Sequence, residues 1–300
     1  MKSCLILVVI ILASASFCKS QENIPEELSA LASQSKTLFD EGRYTEYVTL
    51  LDQIVDKYPQ FRKDILQGKI QALDKLERNR EAVLVAVELD SLEGASEVGK
   101  PCDIAWRYAV VNDTLNALKW AKVTADRGFQ NYNYYLLNDE FKILQDQPVF
   151  DSLIELVKGN ARLGKPAKQF VRNDVSGKEI ALEKYSGKVV LLDFWATWCA
   201  PCVADMPELH ALYDEYNTRG FEIIGISLDK DKALLEKFLL EKSIAWPIIF
   251  GGQGWNDETK NLYGVRMVPA SWVIDKKGII RYSQVKGDKL KNAIMELIKE

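Results

Sequence analysis

Hydrophobic and polar positions change their rhythm twice along this chain of 300 residues. Cys4 to Leu12 is an unbroken apolar run, preceded by Met1-Lys2 and followed by Ala13-Ser14-Ala15. A positive start, a short apolar core and a small-residue site are what a signal peptidase reads. The run is too short to cross a hydrocarbon core of ~30 Å as a helix, so residues 1–20 are expected to be a cleaved secretory signal. Residues 21–160 then carry apolar positions at helical spacing, as in Leu28, Leu31 and Leu38, or Tyr47, Leu50, Leu51, Ile54 and Val55. Gly159 to Lys168 reads as a linker with two glycines and a proline. Beyond it short β-prone runs alternate with helical ones. Val189 to Trp195 is continuously β-prone, as a central buried strand requires. Further strands are expected at Phe221 to Ser227, from Pro247, and at Ser271 to Asp275 and Ile279 to Tyr282. Helices are expected from about Cys199 to Asn217, Ala233 to Glu241 and Asp288 to Lys299. The fold class is thus an α-helical domain over 21–160 followed by an α/β domain, a mixed sheet flanked by helices, over 161–300.

The helical region aligns with itself at a shift of 35 residues: Leu31 meets Leu66, Leu38 meets Leu73 and Tyr108, Tyr47 meets Ala82 and Ala117, and Leu51 meets Ala86 and Ala121. Turn material recurs at 41–43, 78–80 and 111–113. This pattern resembles tetratricopeptide repeats, whose helix pairs must stack because a single pair cannot bury its own apolar face. The resemblance implies a surface for protein docking or self-association. Leu136 to Phe150 resembles the capping end of such an array. Tyr132, Tyr134 and Tyr135 read as packing residues and Cys102 as a buried structural thiol.

Composition narrows the chemistry. With 47% hydrophobic and 27% charged residues the chain is globular, and a formal charge of −4 gives no electrostatic case for binding nucleic acid. A single histidine, His210, excludes most His-ligated zinc layouts and reads as a surface or packing residue. The five cysteines are Cys4, Cys18, Cys102, Cys199 and Cys202. Ala15-Ser16-Phe17 fits the box before a lipidated cysteine poorly, so an anchor at Cys18 is the minority expectation. An exported protein works in an oxidising compartment, where cysteine usage is a redox statement.

Between the strand ending at Trp195 and its helix lies Trp198-Cys199-Ala200-Pro201-Cys202. Two residues between the thiols bring them within disulfide range when the first sits at a helix N-terminus. There the unpaired amides and the helix dipole favour a thiolate. Cys199 is expected to be the exposed attacking thiol and Cys202 the buried resolving one. In this context residues 165–300 resemble the thioredoxin superfamily. The resemblance implies that Asp193 is a buried general base for Cys202, that Pro207 kinks the helix, and that Val268-Pro269 is the cis-proline site. Trp198, Val268 and Pro269 are then the substrate-binding positions. Gly164-Lys165-Pro166-Ala167, the hairpin after Phe170, Met206-Pro207-Glu208-Leu209 and the long segment between Phe250 and Tyr263 resemble the TlpA/ResA-like exported thioredoxins. Cytochrome-maturation members of that group carry Glu three residues after the second cysteine. Asp205 stands there in this chain, and a pKa-tuning role is carried over to it.

The implied protein is an exported thiol-disulfide oxidoreductase of the periplasm or cell envelope, reducing protein disulfides through Cys199 and Cys202. It would take electrons from a membrane thiol donor and need no metal or organic cofactor. A disulfide isomerase and a repeat-based adaptor or chaperone are the alternatives. A peroxiredoxin would need Pro and Thr where Leu192 and Ala196 stand.

Overall fold

The computed structural model describes residues 25–94 and 99–300; the expected signal segment, with Cys4 and Cys18, lies outside the described residues. By packing, the chain forms two compact units: one runs up to Arg127 and includes Asp139–Gln147, the other comprises Gly128–Asn138 and Pro148–Glu300. The division expected at 160/161 therefore falls elsewhere.

The first unit contains α1 (Glu26–Asp40), α2 (Tyr44–Lys57), α3 (Arg62–Lys75), α4 (Asn79–Glu93), α5 (Gly99–Val110), α6 (Thr114–Asp126) and the short α8 (Lys142–Gln145). From α1 to α6 each helix packs on the next. The 35-residue period is visible in the backbone itself. Gly42, Glu77 and Asn112 each take a left-handed conformation, with φ of 74°, 55° and 58°. At all three turns the next amide closes on a carbonyl five residues back: Arg43 on Leu38, Arg78 on Leu73, Asp113 on Tyr108. This is the Schellman closure of a helix end, repeated three times. The aligned core positions Tyr47, Ala82 and Ala117 are all buried. Small alanines in the second and third repeats let helices approach where the first uses a tyrosine ring.

In the second unit α7 (Tyr132–Leu137) pairs with α9 (Phe150–Asn160), and both precede the sheet. Tyr135 is fully buried, with edge-on contacts to Phe129 and Tyr134. A hairpin of β1 (Val171–Asn173) and β2 (Glu179–Ala181) turns at Asp174, whose Oδ1 accepts the amides of Ser176 and Lys178.

The main sheet has the strand order β5-β4-β3-β6-β7, with β3 (Val189–Trp195), β4 (Phe221–Ser227), β5 (Ile248–Phe250), β6 (Ala270–Ile274) and β7 (Ile280–Ser283). β4 is parallel to β3 and β5 parallel to β4, while β6 runs antiparallel to β3 and β7 antiparallel to β6. Every residue of β3 and β4 is buried, which accounts for their predominantly apolar, β-prone runs. Packed around the sheet are α10 (Ala200–Tyr216), α11 (Lys232–Glu241), α12 (Glu258–Tyr263) and α13 (Asp288–Lys299). The register pairs Phe194 with Ala270 and Asp193 with Ser271, so the end of β3 and the start of β6 lie side by side. That adjacency brings the segments carrying Cys199 and Pro269 together.

Candidate active site

Cys199 is the N-cap of α10: its Sγ accepts the amide of Cys202 at 3.3 Å, doing for the helix end what a serine or aspartate cap usually does. Pro201 occupies the first turn, where a missing N–H costs nothing. Cys199 and Cys202 form a disulfide with Cα atoms 5.3 Å apart. The expected contrast in exposure is absent, since the residues are 5% and 3% exposed. Both belong to the apolar cluster around the sheet, and that packing covers them alike.

The approach to the dithiol is held by a network that sequence reasoning did not identify. Buried Asp229, just beyond β4, accepts the amide of Thr197 at 3.0 Å, the hydroxyl of Thr197 at 2.6 Å and the hydroxyl of Ser227 at 2.8 Å. These bonds pin the loop between β3 and α10 two residues before Cys199. Only the short spacing Ser227-x-Asp229 after an apolar strand hinted at it.

Behind Cys202 is a cavity of about 20 Å³ lined by Asp193, Cys202, Asp205, Glu208, Pro269 and Ser271 among others. That is roughly the room one water molecule occupies. Asp193 is 8% exposed. Burial pushes its carboxyl up to about 7; nearby Asp205 pushes the same way and Lys286 opposes it. Asp205, a turn after Cys202, is ion-paired with Lys286 and half-buried. Glu208 lies one turn further, with its Oε1 buried and unbonded. A peptide bond in the cis form joins Val268 to Pro269, and Pro269 lines the same cavity. Cys199, Cys202, Asp193, Asp205 and Pro269 thus converge on one end of the sheet. Trp198 stands beside them at the surface, 55% exposed. Pro207 lies inside α10, as expected for a kink position. His210 packs its ring on Trp246 at 4.9 Å, outside this cluster, and Cys102 is buried in the other unit. Among the described residues no group of three or more His, Cys, Asp or Glu could hold a metal ion.

A mixed sheet of this order with a Cys-x-x-Cys at the mouth of its first long helix defines a thioredoxin-fold thiol-disulfide oxidoreductase. A family model described as "AhpC/TSA family" matches residues 163–283. The thiol-disulfide oxidoreductase ResA of Bacillus thuringiensis is 36% identical over 138 residues, covering 46% of this chain and 78% of that protein. ResA of Geobacillus thermodenitrificans is 38% identical over 119 residues, or 40% and 67% of the two chains. The thioredoxin domain of a thiol-disulfide oxidoreductase from Bacteroides vulgatus has 26% identity and a TM-score of 0.43, covering 45% of this chain and 97% of that one. The chain belongs to the ResA family of thiol-disulfide oxidoreductases.

Proposed function

We propose that this protein is exported and reduces disulfides of other proteins in the cell envelope. The observation that carries the reading is the helix-capping disulfide backed by Asp193, a carboxyl held near neutral pH within the same small cavity as Cys202. In the reduced protein the Cys202 amide and the α10 dipole face Cys199 and favour its thiolate. That thiolate attacks one sulfur of a client disulfide, the client S–S bond breaks, and the departing client thiolate takes up a proton. A mixed disulfide joins Cys199 to the client. Asp193 then accepts the proton of the Cys202 thiol, directly or through one water, and the Cys202 thiolate attacks Cys199 Sγ. The second client thiol leaves, and Cys199–Cys202 is oxidised as two electrons pass to the client. Asp205, a turn away and tied to Lys286, sets the charge that Asp193 feels.

Reduction as the direction is supported by the neutral-range base and by membership of the ResA family, and cytochrome c maturation is the setting that membership suggests. The dithiol alone carries the electrons, with no metal or organic cofactor, and a membrane thiol donor restores it. Export rests on the apolar run and small-residue site at 1–20. Val268 and Pro269 join Trp198 as the positions that receive the client chain. The hairpins at a 35-residue period are read as tetratricopeptide repeats offering a docking or self-association surface.

The test is a trap. Cys202→Ala blocks release, so the full chain should accumulate a mixed disulfide with client protein through Cys199, while the wild type reduces insulin in the presence of a dithiol. Failure of the wild type to reduce insulin, with no adduct on the variant, would overturn the reading.

A further inference from the structure

Two of the exposed large apolar side chains of the second unit stand together beside the dithiol. Trp198 immediately precedes Cys199, and Trp255, 42% exposed, lies with its ring centroid 6.0 Å from that of Trp198 at an interplanar angle of 49°. The position of Trp255 is built rather than incidental. It occupies a single turn, Gly254–Asn256, fixed at both ends. Gly254 has φ of 55°, and a Cβ there would come within 2.9 Å of Lys230. After the turn, fully buried Asp257 caps α12 by accepting the Lys260 amide at 3.0 Å, and Arg172 holds its other oxygen. A backbone fixed in this way keeps an indole at the surface without a core to bury it. Cations flank one side of it: the Lys260 ammonium lies 5.6 Å from the Trp255 ring centroid, and burial and Arg266 lower its pKa while Asp257 opposes them.

We propose that Trp198 and Trp255 form a client-selecting platform that takes an aromatic or aliphatic side chain flanking the reactive cysteine of an extended polypeptide. This rests on the exchange reading above. The occupant follows from continuity with that reaction: whatever disulfide meets Cys199 must lay its neighbouring residues over Trp198, and Trp255 widens that surface. Two tilted rings offer faces and edges suited to an apolar or aromatic group. The cations beside them disfavour a basic one.

The experiment uses the full reduced chain and three disulfide-linked peptides that differ only in the residue next to cysteine: Phe, Ser or Lys. The rate with 2-hydroxyethyl disulfide, which has no flanking side chain, normalises each protein. The Phe peptide should react about tenfold faster than the Ser peptide, the factor that ~1.4 kcal/mol of burial produces. The Lys peptide should be no faster than Ser. Trp255→Ala should bring the Phe-to-Ser ratio close to one, and Trp255→Phe should restore most of it. Leu240→Ser, at a position 81% exposed and outside the site, should leave the ratio at the wild-type value. Equal rates for Phe and Ser in the wild type, or a ratio unmoved by Trp255→Ala, would overturn the platform while exchange itself stands. A Lys peptide faster than Phe would replace the apolar occupant by a basic one held over the indoles. A wild type inert toward every disulfide, hydroxyethyl disulfide included, would sink both the platform and the exchange reading.

Discussion

At Asp193 a carboxyl is held inside the sheet, opposite Ser271 on one strand and Gly225 on the other. Burial is the main cause of its pKa of about 7, and Asp205 adds to it. The sign of the consequence for stability follows directly. Between about pH 4 and pH 7 the folded protein keeps a proton that the unfolded chain has released, so stability falls as pH rises through that window. The cost at pH 8 is on the order of 4 kcal/mol at most, from about three pKa units. Asp193→Asn removes that cost. The variant should therefore unfold at higher denaturant than the wild type at pH 8, with the gap closing toward pH 4. It should also reduce insulin more slowly at pH 7, by about 10²-fold or more, because an amide cannot accept the Cys202 proton. A variant less stable at pH 8 would contradict the raised pKa, and a fully active one would remove Asp193 from the role of base. At this scale the cysteines, Asp193 and Pro269 were legible because they sit at fixed offsets along the chain. Asp229 and Trp255 were not. Their partners Thr197 and Trp198 lie more than thirty residues away, and no local pattern encodes that meeting.

Among the elements, β4 shows how tightly the core behind the site is filled. Gly225 pairs with Asp193 on β3 and with Ile248 on β5. A Cβ on Gly225 would lie 2.5 Å from Ile248 Cδ1 and 3.0 Å from Trp195 Nε1. Neither neighbour has free space, since both are buried in the core cluster. Gly225→Ala should cost about 1–3 kcal/mol through overpacking, read as a lower Tm of the second unit. Stability at the wild-type level would mean that Ile248 or Trp195 can repack. The strands β3 and β4 were readable from sequence because burial on both faces selects predominantly apolar, β-branched and aromatic runs. The helix α13 was readable from its amphipathic spacing, and α10 and α11 from their places between β-prone runs. α12 was not expected at all: it has only six residues, and its start depends on the Asp257 cap and Arg172 from the hairpin. In the helical unit the period was readable, yet the second turn falls at Glu77-Arg78 rather than at 78–80. Glu77 takes the left-handed position for which the first repeat uses Gly42, and a glutamate gives no such signal in a sequence.

On the scale of the whole molecule, the chain passes between its two units three times, at about residues 127, 138 and 147. Change of pattern near Gly159 marked where strands begin, but it does not mark where packing divides. Gln130 donates to the carbonyls of Asn160 at 3.3 Å and Tyr263 at 3.0 Å, and Asn133 donates to that of Ser283 at 3.3 Å. Asn160 donates in turn to the carbonyl of Phe129 at 3.0 Å. Side-chain amides reaching backbone carbonyls 30 to 150 residues away leave no periodic trace, so residues 128–138 were expected within the helical domain over 21–160, with Leu136 to Phe150 as its capping end. Their attachment has a measurable consequence. A fragment spanning 161–300 keeps Cys199, Cys202, Asp193 and Pro269, but loses the donors to Tyr263 and Ser283 and the paired helices α7 and α9. Each lost hydrogen bond is worth about 1 kcal/mol, and uncovered apolar surface adds to it. The 161–300 fragment should therefore melt roughly 10 °C or more below a 128–300 fragment while still reducing hydroxyethyl disulfide at low temperature. Equal melting temperatures would show that residues 128–160 contribute nothing to the thioredoxin unit and that the division belongs at 160/161 after all.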